Sequence, residues 1–214
     1  MTIRIPESEI IRAASEGMDA FIQVFYDAIM DAIGGELNET TMQELNGEQI
    51  TLLAYIMLRN EVMDGGFVQL IHNGYGGFIF LNPFAKAMRL WGAHDFSKLV
   101  YKGRKLFEQH GEALTKDCSD EEFMALFEQF PEFDELDDEF VECEEEVTEL
   151  IARYVDEHIE KFAEIGGRTH AEKVCDFVDG LLRNIKKHFL CDFYSFIKNI
   201  SLRRNTEGFD EKPS

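Results

Sequence analysis

Ten carboxylates crowd the sixteen residues from Asp134 to Glu149, the densest run of ionisable side chains in the 214-residue chain. Read at the helical period, Asp134, Glu135, Asp138, Glu139, Glu142, Glu145, Glu146 and Glu149 share one face, and Asp156, Glu157 and Glu160 continue it. Opposite lies an apolar stripe of Leu136, Phe140, Cys143, Val147, Leu150, Ile151, Tyr154 and Phe162. At a rise of ~1.5 Å per residue, ten acids over sixteen residues amount to about one charge per 2.4 Å of helix axis. Duplex DNA carries about one charge per 1.7 Å counting both strands, or about one per 3.4 Å on one strand. The chemistry on offer is electrostatic: a phosphate-like row held on a helix.

Other chemistries find little support. Gly74, Gly76 and Gly77 have no strand before them and no Lys-Ser/Thr after, so they are not a phosphate loop. No histidine stands three residues after a glutamate, which removes the di-iron bundle signature, and paired zinc-ligand spacings are missing. Asp134 to Glu139 lacks the alternating ligands and central glycine of a calcium loop. Cys143 beside Glu144 and Glu145 has its pKa pushed up, the wrong direction for a nucleophile. An enzyme site built from Arg59, Glu61, Gln69 and His72 is the weakest reading, because His72 has the surroundings of a packed core histidine. The expectation is a protein that is not an enzyme, with no cofactor, metal or catalytic residue.

Charge narrows the partners. Lys and Arg total 21 against 42 Asp and Glu, for a net of −21. Residues 117–164 hold 20 of those acids and only two bases, Arg153 and Lys161. Such a segment repels nucleic acid and anionic membrane and favours basic proteins. The 45% apolar content and 19 Phe speak for a folded core. The start MTIRIPESE is unlike a secretory signal, no apolar run is long enough to span a bilayer, and Cys118, Cys143, Cys175 and Cys191 form no Cys-x-x-Cys pair. These features predict a cytoplasmic protein with reduced thiols.

The elements that must carry this face read as helices throughout. Residues 6–33 are expected to form one amphipathic helix ended by Gly34-Gly35, followed over residues 36–47 by a polar loop with at most a turn of helix. Asn46-Gly47 opens a long apolar helix that stops at Asp64-Gly65-Gly66, restarts at Phe67 and stops again at Asn73 to Gly77. Phe78 to Leu81 reads as a strand or extended linker. Asn82-Pro83 starts a helix ended by Gly92, His94 to His110 is another, and Ser119 with Glu122 forms a capping box before a helix ended at Pro131. The acidic helix is expected to run to about Ile165, and apolar helices follow over residues 166–204 before a frayed tail, residues 205–214. The fold class is all-α: one compact multi-helix domain, with residues 1–47 packed on a central unit of residues 48–165 and a C-terminal helical segment appended. The apolar C-terminal helices supply surface for a homodimer.

The helix broken at Gly65-Gly66 also carries a resemblance. Glu61, Val62, Gly65, Gly66, Phe67, Gln69, Asn73 and Gly76 match the motif of the bacterial DNA-mimic protein family, with Asp64 in place of its usual Asn and Ile71-His72 in place of its aromatics. Ala85 through Gly92-Ala93 with the helix to Phe107, and the acidic helix closing near Phe162, are further matches, so the likeness covers roughly residues 48–163. Glu61, Gly65, Gly66, Phe67, Gln69, Asn73 and Gly76 are therefore expected to form a buried structural wedge, its polar side chains bonded to the glycine-rich backbone. The resemblance implies an acidic interaction protein that occupies the DNA-binding surface of a basic partner, a repressor or histone-like nucleoid protein, and so regulates transcription. The alternative is an immunity or antitoxin-like protein that neutralises a basic toxin such as a nuclease.

Overall fold

A computed structural model of the protein describes residues 2–166, so the expected C-terminal helices and tail, and the dimer surface expected of them, lie outside the described residues. Ten α-helices and a two-stranded sheet make up those residues. The centre is α4 (Gly47–His72), which packs on helices from both sides of it in the sequence. Its first half is apolar around most of its circumference, and Leu52, Leu53, Ala54, Tyr55, Ile56 and Leu58 are all buried. Such a helix cannot lie on a surface. Asn46 starts it with a capping box, its side chain accepting from the Gln49 amide at 2.8 Å while Gln49 Oε1 accepts from the Asn46 amide at 3.0 Å.

The long amphipathic stretch before it is two helices, α1 (Glu7–Glu16) and α2 (Met18–Ala32), where one was expected. Gly17, at φ 141°, breaks the backbone between them. The apolar stripe continues across the break, with Ile10 and Ala14 on one side and Phe21, Ile22, Phe25 and Ile29 on the other all buried. A one-residue break leaves the hydrophobic period nearly in phase, which is why the sequence does not show it. The polar loop contains the one helical turn it was expected to allow, α3 (Glu39–Met42).

After the kinked end of α4, Phe78 to Leu81 is not a strand. Its residues close α5 (Gly76–Phe80), whose Ile79 and Phe80 reach the core. A short apolar run has no period of its own, so burial decided its state. Asn82 Oδ1 then accepts from the Phe84 amide at 2.7 Å at the start of α6 (Phe84–Leu90). Gly92, at φ 97°, turns the chain into α7 (His94–Leu114), one turn longer than expected. The predicted Ser119–Glu122 box caps α8 (Asp120–Gln129), and a 3-10 turn, Pro131–Phe133, leads into the acidic helix α9 (Asp134–Glu157).

That helix ends eight residues before the expected stop at Ile165. His158 leaves helical geometry, the short α10 (Ile159–Phe162) follows, and residues Glu164–Gly166 form β2. This strand pairs in parallel with β1 (Arg4–Pro6), Ile5 opposite Ile165, and joins two ends of the described chain in a contact that no local pattern announces. Phe67 sits 6.3 Å from both Phe80 and Phe140 in ring-to-ring contact, so the glycine break of α4 does lie in the core.

Candidate functional site

The acidic helix α9 packs on α2, α4 and α7 through Leu136, Phe140, Val147, Ile151 and Val155, all buried. Its far side bears Asp134, Glu135, Asp138, Glu142, Glu145, Glu146 and Glu157, and Glu160 follows on α10; all eight are exposed. None of them is bridged by a cation among the described residues. Glu139 and Glu149 are half-buried and paired, Glu139 with Lys102 of α7 at 2.7 Å and Glu149 with Arg153 at 2.7 Å. The face predicted from the helical period is therefore present over its first sixteen residues.

Asp156 does not belong to it. The period turns it outward, yet it is half-buried, and its Oδ1 is buried with no hydrogen-bond partner among the described residues. Burial pushes its pKa up to about 7, with a further push from Glu157. Two more acids of the run point inward, as the period places them. Glu144 is buried and accepts from Arg59, whose Nη2 also reaches Asp19 at 3.1 Å, and from the Thr148 hydroxyl at 2.9 Å. Tyr55 bonds Thr148 at 2.6 Å, which completes a buried polar chain between α4 and α9. Arg59 was visible in the sequence only as a weak catalytic possibility; it is a structural cation.

Asp137 is the other inward acid. The break in α4 places Gly65 at φ −154°, ψ 27° and Gly66 at φ 71°, and the Phe67 amide donates to Asp137 Oδ1 at 2.8 Å. Burial is the main cause that raises Asp137 to about 6; repulsion by Asp134 and Asp138 adds to it and the Phe67 amide opposes it. The wedge side chains do not bond the glycine backbone as expected. Gln69 Nε2 donates to Asp64 at 2.8 Å and to Glu61 at 3.2 Å, and Asn73 Nδ2 donates to Glu61 at 2.8 Å. They tie the two halves of the kinked helix to each other, and Gly76 lies buried beside Phe107. His72 packs on Phe123 with ring centroids 4.6 Å apart, and its Nδ1–H donates to the Leu114 carbonyl at 2.9 Å.

Burial also pushes the Cys143 thiol up, ahead of the repulsion from Glu146, Glu139 and Glu144. No group of three or more His, Cys, Asp or Glu among the described residues is arranged to hold a metal ion. No described helix is long and apolar enough to cross a membrane.

A helical body with a carboxylate face clamped to a kinked central helix defines an acidic, all-α protein whose most distinctive described surface is that face. Comparison with known proteins gives the class a name. The model of the DMP19-like protein family matches residues 43–158, more than half of the chain, and the chain belongs to that family. It is 37% identical over 132 residues to the DNA mimic protein DMP19 of Neisseria meningitidis serogroup B, an alignment that covers 61% of this chain and 80% of that protein. The matched span takes in both the glycine kink and α9.

Proposed function

We propose that this protein acts as a DNA mimic whose α9 face occupies the DNA-binding surface of a basic DNA-binding protein, a transcriptional repressor or a histone-like nucleoid protein. The observation that carries the reading is the row of exposed, unbridged carboxylates from Asp134 to Glu146. With Asp137 and Glu144 turned inward and Glu139 paired with Lys102, six exposed acids remain unbridged among the described residues over residues 134–146. That is about one charge per 3.3 Å of axis, near the ~3.4 Å spacing of phosphates along one DNA strand. A face built only for solubility intersperses lysine among its acids, and here the described bases are confined to its margins. The name of the meningococcal relative supports the same role. The face gives a basic partner, not a substrate, its point of contact.

The test is capture on the immobilised full-length protein from a host lysate at low salt, followed by elution with duplex DNA. A basic DNA-binding protein released by the duplex supports the reading. Captured proteins that do not bind DNA, or that duplex DNA fails to release, overturn it.

A further inference from the structure

Most of the contact between α9 and the body is apolar, and apolar packing resists separation better than it resists sliding. Directional ties are few. Glu144 and Thr148 bond side chains of α4 near the middle of α9, Glu139 pairs at the surface with Lys102 of α7, and Asp137 in the first turn bonds a main-chain amide. That amide is available because α4 breaks at Gly65-Gly66, which leaves a helical donor in want of an acceptor. Room for the carboxylate exists because residue 66 has no side chain: a Cβ there would stand 2.4 Å from Asp137 Oδ2.

We propose that Asp137 is the positioning residue of the acidic face, its carboxylate seated in the notch of Gly66 and bonded to the Phe67 amide so that the first turn of α9 is fixed to the kink of α4. Asp134, Glu135, Asp138 and Glu139 surround it within one turn, so the anchor sets where the leading charges of the face stand. The charged groups nearest the kink are held elsewhere. On α4, Glu61 and Asp64 are held by Gln69 and Asn73, and Arg59 by Glu144 and Asp19. On α7, Lys102 is held by Glu139, and His110 faces Glu132 of the 3-10 turn at 3.4 Å. On its own helix, Asp134 and Asp138 only repel it. Among the described residues, the Phe67 amide is the hydrogen-bond donor to the carboxylate. The consequence for binding rests on the mimic reading, while the anchor itself does not.

The experiment compares the full-length protein with Asp137→Asn and Asp137→Ala. Asparagine keeps an acceptor oxygen without the titration; alanine removes both. In the unsubstituted protein the Phe67 amide shift should follow pH with a midpoint of about 6, and in Asp137→Asn it should be flat. Phe67 hydrogen exchange should stay slow in Asp137→Asn and rise about tenfold in Asp137→Ala, the effect of one lost buried hydrogen bond. Affinity for a purified histone-like nucleoid protein at fixed salt should be restored by asparagine and reduced several-fold by alanine, although every exposed carboxylate remains. A pH-independent Phe67 shift in the unsubstituted protein overturns the proposal, as does an Asp137→Ala protein with normal exchange and affinity. If Asp137→Ala does not fold, the shift titration of the other two proteins still decides. If none of the three binds the nucleoid protein but the Phe67 results hold, the anchor stands and the nucleoid-protein form of the mimic reading is what fails.

Discussion

At the scale of single residues, the sharpest demands fall where α4 and α9 touch. Gly66 combines a positive φ with a neighbour that leaves no room for a methyl group. Gly66→Ala should therefore cost about 2–4 kcal/mol, from backbone strain and displacement of Asp137, and Gly66→Val more. Thermal denaturation followed by circular dichroism measures it, and an unchanged Tm would refute the close packing. Arg59 makes a second such demand. Its removal leaves Glu144 buried without a cation, so Arg59→Ala should destabilise by about 3 kcal/mol, while the double change Arg59→Ala with Glu144→Gln should recover part of the loss.

The pH response is also a matter of single groups. Asp137 and Asp156 are raised to about 6 and about 7 in the folded protein. An aspartate in the unfolded chain titrates near ~3.9. The folded state therefore holds more protons than the unfolded one between these values, and the contribution of both groups to stability is lost as pH rises from about 4 to 7. Asp156→Asn isolates the larger share of the effect. It should raise Tm relative to the unsubstituted protein at pH 8 and make little difference at pH 4. Parallel Tm–pH profiles for the two proteins would show that Asp156 is not desolvated.

At the scale of elements, α9 carries a conflict between its surface and its own stability. Like charges at i, i+3 and i+4 each cost a helix a few tenths of a kcal/mol; among the described residues Lys102 pairs with Glu139 and Arg153 with Glu149. Glu142, Glu145 and Glu146 are exposed and unbridged among the described residues, so they make the cleanest target for charge reversal. The triple change Glu142→Lys, Glu145→Lys, Glu146→Lys should leave helicity intact or slightly increased and remove binding to the captured partner at moderate salt. Full affinity in a folded triple variant would return the face to plain solvation. Helix boundaries show where local signals stop being sufficient. The capping boxes at Asn46 and Ser119 were legible because each motif closes on itself within four residues. The break at Gly17, the helical state of Phe78 to Phe80 and the end of α9 at His158 were not, since each depends on what packs against the segment.

At the scale of the whole molecule, a mimic of DNA should compete with DNA without sharing its salt law. Carboxylates on a folded protein condense fewer counterions than a polyphosphate, so the slope of log affinity against log salt should be shallower for this protein than for duplex DNA on the same partner. Titrations of the purified pair between low and moderate salt test this, and equal or steeper slopes would contradict it.

The sequence by itself determined that the described chain is helical, that its core runs through the residues around Gly66, and that its negative charge gathers on one face of one helix. Period, caps and charge counts are properties of neighbours within a few turns, and they survive any arrangement of the helices. Tertiary structure decided which acids stay outside. Asp137 found an amide 70 residues earlier in the chain, and Glu144 found an arginine 85 residues earlier. Asp156 was covered despite a helical phase that turns it outward. It also decided the parallel pairing of Arg4–Pro6 with Glu164–Gly166. A hydrogen bond or an ion pair depends on distances across elements, and a helical period reports which face of a helix is buried without reporting what lies against it.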